Sequence, residues 1–171
     1  MAIKSSSLEA LELKTPEYWM QQALLLAQAA AENNEVPVGA VVVLNGEIIG
    51  RGSNGPIHRH DPTAHAEIQA LREAAKNIAN YRLVNADLYV TLEPCAMCAG
   101  ALLHSRIKNL YFGAHELKSG AVESHLQLFK QDCMNHHVNV FSGIEAQRCG
   151  QVLSDFFRRR RKEKKVSRQL K

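Results

Sequence analysis

The chain has 171 residues, long enough to bury a core and short enough for one domain. Hydrophobic residues make up 46% and charged residues 22%, the balance of a soluble globular protein. No apolar run reaches the roughly 20 residues that cross a bilayer, which excludes an integral helical membrane protein. The net charge of +4 is unevenly spread. Residues 158–171, RRRRKEKKVSRQLK, hold nine Lys or Arg and one Glu, so this stretch carries +8 and residues 1–157 are left at −4.

Residues 1–14 read as a loose arm with no apolar h-region and no cleavage site, so no secretion signal is expected. With four cysteines, a reducing cytoplasm is the expected location rather than a disulfide framework. One domain of residues 15–157 follows, and 158–171 form a basic extension of its last helix.

Within the domain, Thr15 caps a first helix with Pro16 at its first position, and Asn33-Asn34 ends it. VGAVVVLNGEIIGRG places two apolar runs around Asn45-Gly46, a hairpin signal. Asp61-Pro62 opens a second helix, roughly Ala64 to Ile78. ADLYVTLE, residues 86–93, is a strand, and Pro94 starts a third helix from Cys95 to about His104. Ile107 to Gly113 and Val138 to Phe141 are strands. Residues 115–136 are ambiguous, with a helix expected near Glu123 to Phe129, and a closing helix runs from Glu145 to about Lys165. A hairpin followed by strand–helix alternation argues for a mixed sheet covered by helices.

The chemistry centres on Pro94-Cys95-Ala96-Met97-Cys98. Thiols three apart at a helix start face one way, where free N–H groups and the helix dipole favour thiolates. Two thiolates are half of a tetrahedral zinc site, although C-x-x-C also serves as a redox pair. No βαβ unit is read ahead of this one. His65-Ala66-Glu67 poses a geometric problem, since residues two apart lie about 200° apart around a helix. At a helix end side chains can fold over the terminus. Two helix starts can then face across one metal, with His65 from one and Cys95 and Cys98 from the other. Three protein ligands leave a fourth position for water, as in catalytic zinc sites. Glu67 then stands beside that water as a proton shuttle. Taken singly, His65 reads as a buried histidine and Glu67 as a solvated helix carboxylate.

H-A-E followed by P-C-x-x-C resembles the signature of the zinc-dependent nucleoside and nucleobase deaminases. Asn54, Arg59 to Glu67 and Thr91 to Gly100 resemble the bacterial tRNA adenosine deaminase branch of that family. So do Tyr81-Arg82-Leu83, His104 to Ile107, Met134-Asn135-His136 and Leu153 to Arg158, over roughly residues 16–162. The resemblance makes residues 15–157 a zinc deaminase domain. It implies an α/β fold: a three-layer α/β/α sandwich with a five-stranded mixed sheet, cytidine-deaminase-like. It also implies one Zn2+ per chain and hydrolysis of adenosine to inosine at the wobble position of an arginine tRNA anticodon. A zinc-activated water and Glu67 would carry the reaction, and a homodimer would hold the anticodon stem-loop. By position, Asn54 would hydrogen-bond the target base, Ala66 would offer a main-chain contact, and Val38 and Leu92 would pack on its faces. Glu116 stands where the family usually has an aspartate near the ribose.

The basic tail has a bland reading as a solvated end and a sharper one as a handle for phosphates. The aromatic pair Phe156-Phe157 beside the arginines suits the second. There Arg158, Arg159, Arg160 and Arg161 track phosphates and Phe157 stacks on a loop base. Cys133 and Cys149 are read as buried free thiols. Two rivals stay open: a deaminase of free cytosine or guanine, and a non-enzymatic RNA-binding protein with a structural zinc closed by a fourth protein ligand.

Overall fold

The computed structural model describes residues 14–169, so nearly all of the expected N-terminal arm lies outside the described residues. Helix α1 (Pro16–Glu32) begins where Thr15 accepts the Tyr18 N–H at 3.4 Å and ends at Asn33. Strands β1 (Gly39–Leu44) and β2 (Glu47–Ser53) form the hairpin, with Asn45 and Gly46 both at positive φ as a tight turn between twisted strands requires.

The next segment departs from expectation. A one-turn helix α2 (Pro56–Arg59) closes at His60 in the left-handed conformation. Asp61 then folds into a turn in which its Oδ1 accepts both the N–H and the hydroxyl of Thr63, at 2.8 and 2.7 Å. Asp61-Pro62 therefore does not open the second helix; α3 runs Ala66–Asn77 and His65 is its cap. Strand β3 (Asp87–Leu92), helix α4 (Ala96–Ser105), strand β4 (Asn109–Ala114), strand β5 (Asn139–Ser142) and helix α5 (Ala146–Gln169) complete the chain. The helix expected near Glu123 to Phe129 does not form. Only a 3-10 turn at Leu128–Lys130 appears, because the chain turns left-handed at Gln127 and the Leu128 N–H goes to the Ala121 carbonyl instead of to that of Ser124.

The sheet order is β2-β1-β3-β4-β5, with β1 antiparallel to both neighbours and β3, β4 and β5 parallel. Alternation sorts the side chains into two layers. Ala40, Val42, Leu88 and Val90 pack with residues of α3 and α4, while Val41, Val43 and Tyr89 pack with Trp19 of α1. Cys149 of α5 joins Met20, Ala23 and Leu24 of α1 on that second side. This is the expected three-layer α/β/α sandwich with a five-stranded mixed sheet. Leu88, Leu102, Leu110 and Phe112 are fully buried, each contributing about 1.5–3 kcal/mol, far more than any exposed ion pair on the surface.

Two packing details set the site. A Cβ on Gly52 of β2 would lie 2.0 Å from the Ala66 carbonyl oxygen and 2.5 Å from the Ala70 nitrogen, so α3 sits flush on the strand only because that residue is glycine. Helix α5 crosses the sheet at the carboxyl ends of β3 and β4. Cys149 lies against Gly113, and ten residues on Arg159 donates to the Ala31 carbonyl at 2.8 Å, near the end of α1. Phe156, expected on the aromatic face offered to RNA, is instead buried. Phe157 beside it stays exposed. Cys149 is buried as expected, but Cys133 is exposed, because it lies in the irregular segment before β5. Among the described residues no helix is long and apolar enough to cross a membrane.

Candidate active site

His65 caps α3 in an extended conformation, φ −76° and ψ 153°. A cap residue ordinarily spends its side chain on the first helical N–H groups. Here Asn54, arriving from the end of β2, does so in its place, and its Oδ1 accepts the Ala66 N–H at 2.9 Å. The His65 imidazole is thereby released from capping and turns toward α4. The spacing problem of His65 and Glu67 disappears for the same reason, since only Glu67 is helical.

Cys95 caps α4, also in extended conformation, and Cys98 lies one turn in, fully buried. The His65 Nδ1 is 3.6 Å from the sulfur of Cys95 and 3.6 Å from that of Cys98. Zn–S bonds of about 2.3 Å and Zn–N bonds of about 2.0–2.1 Å at a tetrahedral angle put N and S about 3.6 Å apart, so the donor set fits zinc in kind and in spacing. Among the described residues the three form a group of metal-ligating side chains without a fourth protein donor. That favours a catalytic site over a closed structural one. Helix α4 is the crossover of a β3–α4–β4 unit, so the C-x-x-C opens the helix within a βαβ unit rather than following one. The histidine against both sulfurs is what distinguishes it from a simple dithiol.

The electrostatics describe a place for a cation. Hydrogen bonding from the Cys98 thiol, and the His65 ring beside it, push Cys95 down to about 4 despite its burial. The neighbouring Cys95 sulfur and burial push Cys98 up. His65 is raised, chiefly by its hydrogen bond with Cys95. Glu67 is 3% exposed, and burial, with the Cys95 thiolate adding to it, pushes its carboxyl up to about 7. A cation on the three donors opposes that rise.

Above this group lies a cavity of about 330 Å³, within the usual size of small-molecule sites. His65, Glu67, Cys95, Asn54, Val38, Leu92 and Glu116 all line it, so seven of the residues singled out from sequence converge there. Cys98 is buried beneath. Ala66 is buried behind the wall, and its N–H is already bonded to Asn54, which leaves the Asn54 NH2 for the cavity. Phe157 and Arg158 to Arg161 do not line the cavity but lie exposed along α5. Sequence reasoning missed Glu35 and Glu93, both 2% exposed and both on the wall. Glu35 accepts the His58 N–H at 2.7 Å. An acid closing the apolar run ADLYVTLE, immediately before Pro94-Cys95, was the available signal for Glu93.

A His–Cys–Cys group at two helix starts, with a buried glutamate beside it and this sheet behind it, defines a protein of the cytidine-deaminase-like class. The MafB19-like deaminase family matches residues 15–161. A tRNA-specific adenosine deaminase of Haemophilus influenzae is 56% identical over 155 residues, covering 90% of each chain. One of Bacillus subtilis is 45% identical over 152 residues, covering 89% of this chain and 94% of that one. A solved structure from studies of A-to-I editing by tRNA:A34 deaminases at the wobble position of transfer RNA superposes with a TM-score of 0.78. It is 46% identical and covers 80% of this chain and 99% of that one. The chain belongs to the tRNA-specific adenosine deaminase family.

Proposed function

We propose that this protein hydrolyses adenosine to inosine at the wobble position of a tRNA anticodon, an arginine tRNA by resemblance, with one zinc ion per chain. The observation that carries the reading is the His65 Nδ1 placed 3.6 Å from both sulfurs with Glu67 buried beside them under a base-sized cavity. His65, Cys95 and Cys98 would hold the zinc, which would supply a Lewis acid that lowers the pKa of the attacking water.

The chain's own residues do the rest. The Glu67 carboxylate takes a proton from the attacking water and delivers it to the ring nitrogen next to C6. It then carries the second proton to the departing amine, so that water and adenosine leave as inosine and ammonia. The Asn54 NH2 donates to an acceptor on the base, and Val38 and Leu92 hold its faces. Glu116 stands at the ribose side. An unpaired loop base costs least to extrude, which suits a base-sized cavity of this kind to an anticodon loop.

Helix α5 serves the rest of the RNA. Arg158 pairs with Asp155, and Arg159 and Arg160 pair with Glu163, all at the surface. Such exposed pairs are worth about 0–1 kcal/mol and exchange readily for phosphates. Arg159 also ties α5 to the end of α1, four residues before the cavity residue Glu35, so the basic helix passes the cavity end of the sheet. The working form is a homodimer in the cytoplasm. Inosine analysis of bulk tRNA after incubation with the protein, beside free cytosine and guanine, tests the reading. Inosine in tRNA with both free bases untouched is the expected result; turnover of a free base with tRNA unchanged overturns it.

A further inference from the structure

Glu93 is 2% exposed, and the chemistry above does not use it. Its carboxylate is nevertheless among the most heavily bonded groups in the protein. Oε1 accepts the N–H groups of Val122, Glu123 and Ser124 at 3.2, 2.8 and 2.9 Å. Oε2 accepts the Glu116 N–H at 3.1 Å and the Ser124 hydroxyl. These five donors come from one segment, residues 116–124, which has no helix or strand to satisfy its backbone. Converging N–H groups of this kind form an anion site, and here the protein fills it with its own carboxylate.

The segment is seated tightly on the acid. A Cβ on Gly120 would lie 2.5 Å from the Glu93 Oε2 and 2.5 Å from the Glu116 carbonyl oxygen. Gly120 bridges to Cys95 across an antiparallel contact, and the Ala121 N–H donates to the Pro94 carbonyl at 2.9 Å. The same three-residue turn, Glu93-Pro94-Cys95, therefore carries a metal ligand at one end and grips residues 116–124 at the other. Glu116 and Ser119 of the gripped segment form part of the cavity wall.

We propose that Glu93 is a positioning residue: a buried carboxylate that clamps residues 116–124 to the Cys95 turn and so sets the cavity wall at Glu116 and Ser119. Glu116 is placed most directly, because its own N–H is one of the five donors. A carboxylate is needed rather than an amide. Glutamine offers one acceptor oxygen in place of two and turns an NH2 toward donors that already point inward. The consequence falls on substrate fit more than on the proton transfers of Glu67.

The test uses Glu93→Gln in the full chain, with Glu93→Asp as the conservative partner that keeps both oxygens and the charge. In Glu93→Gln the amides of residues 116–124 should exchange with deuterium about tenfold faster or more, the effect of losing a hydrogen bond to a charged group. Zinc content should stay at the wild-type level. KM for an anticodon stem-loop should rise by a similar factor while kcat changes little, and Glu93→Asp should recover part of both effects. The kinetic arm rests on the proposed function. The exchange arm does not, so an absence of any tRNA activity would leave the clamp decided by exchange alone. Wild-type protection of residues 116–124 in Glu93→Gln, or a loss confined to kcat, overturns the proposal. Should Glu93→Gln not fold, Gly120→Ala decides: it keeps the carboxylate but forces the segment off it, and unchanged exchange and KM there overturn the clamp equally.

Discussion

The two walls of the cavity are held by different means. One is regular: His65 and Glu67 begin α3, which lies flush on β2 at its glycines, and Cys95 and Cys98 begin α4, which packs Leu102 and Leu103 into the core. The other, residues 116–124, has no regular element and hangs on the Glu93 carboxylate. The first wall holds the donor atoms of His65, Cys95 and Cys98 at the spacing a metal requires. The second meets the first at the Cys95 turn, through the Gly120–Cys95 bridge and the Ala121 N–H on the Pro94 carbonyl. The metal donors and the loop wall are thus held by different means but joined at one turn.

Several substitutions sharpen or break this division. The largest effect is expected at Cys98, which is fully buried and belongs to the regular wall. Cys98→Ser should lose most of its zinc by metal analysis and with it all detectable deamination; full zinc occupancy would move the metal elsewhere. Next is Gly52→Ala. Its Cβ would collide with the backbone of α3 at Ala66, which no side-chain rotation can relieve. Overpacking of this kind costs about 1–3 kcal/mol, or more against backbone. A fall in Tm of roughly 3–10 °C is expected, with weaker zinc binding because the His65 cap moves with the helix. An unchanged Tm and zinc affinity would show that α3 is not held by that contact.

The smallest effect belongs to the α5 arginines, which touch neither wall. Replacing Arg158, Arg160 and Arg161 with alanine while keeping Arg159, which also stacks over Phe156, leaves the helix docked. Zinc content and Tm should hold. Affinity for tRNA should fall, and the slope of log affinity against log salt should flatten by up to about 2 to 3. The loss should be larger on whole tRNA than on a short anticodon stem-loop. An unchanged salt slope would return this stretch to a solvated helix end.

How far the site was legible in the sequence follows the same division. The hairpin at Asn45-Gly46 and the Thr15-Pro16 start of α1 are local signals that appear where expected, and the H-A-E and P-C-x-x-C motifs are short enough to read although 30 residues separate them. The Asp61-Pro62 signal puts His65 inside a helix. The structure makes it the cap, since Asp61 turns onto Thr63 and Asn54 caps α3 from another element. That long-range substitution has no local signature. The helix expected at Glu123 to Phe129 fails because the chain turns left-handed at Gln127 and the Leu128 N–H goes to the Ala121 carbonyl, which the letters of that stretch do not announce. Phe156 and Phe157 look equivalent in a string of letters, and only the rotation of α5 against the sheet buries one and exposes the other.

The central claim is that Glu67 moves protons beside a metal held by His65, Cys95 and Cys98, and Glu67→Gln addresses it most directly. Glutamine keeps the size of the side chain and its capacity to hydrogen-bond but cannot take a proton from water. Inosine formation on an anticodon stem-loop should be measured under single-turnover conditions, with zinc content and Tm determined on the same preparation. The expected result is a rate lowered by at least about 10²–10⁴-fold with zinc still bound and the fold intact. Near wild-type deamination by a zinc-loaded Glu67→Gln protein would contradict the account.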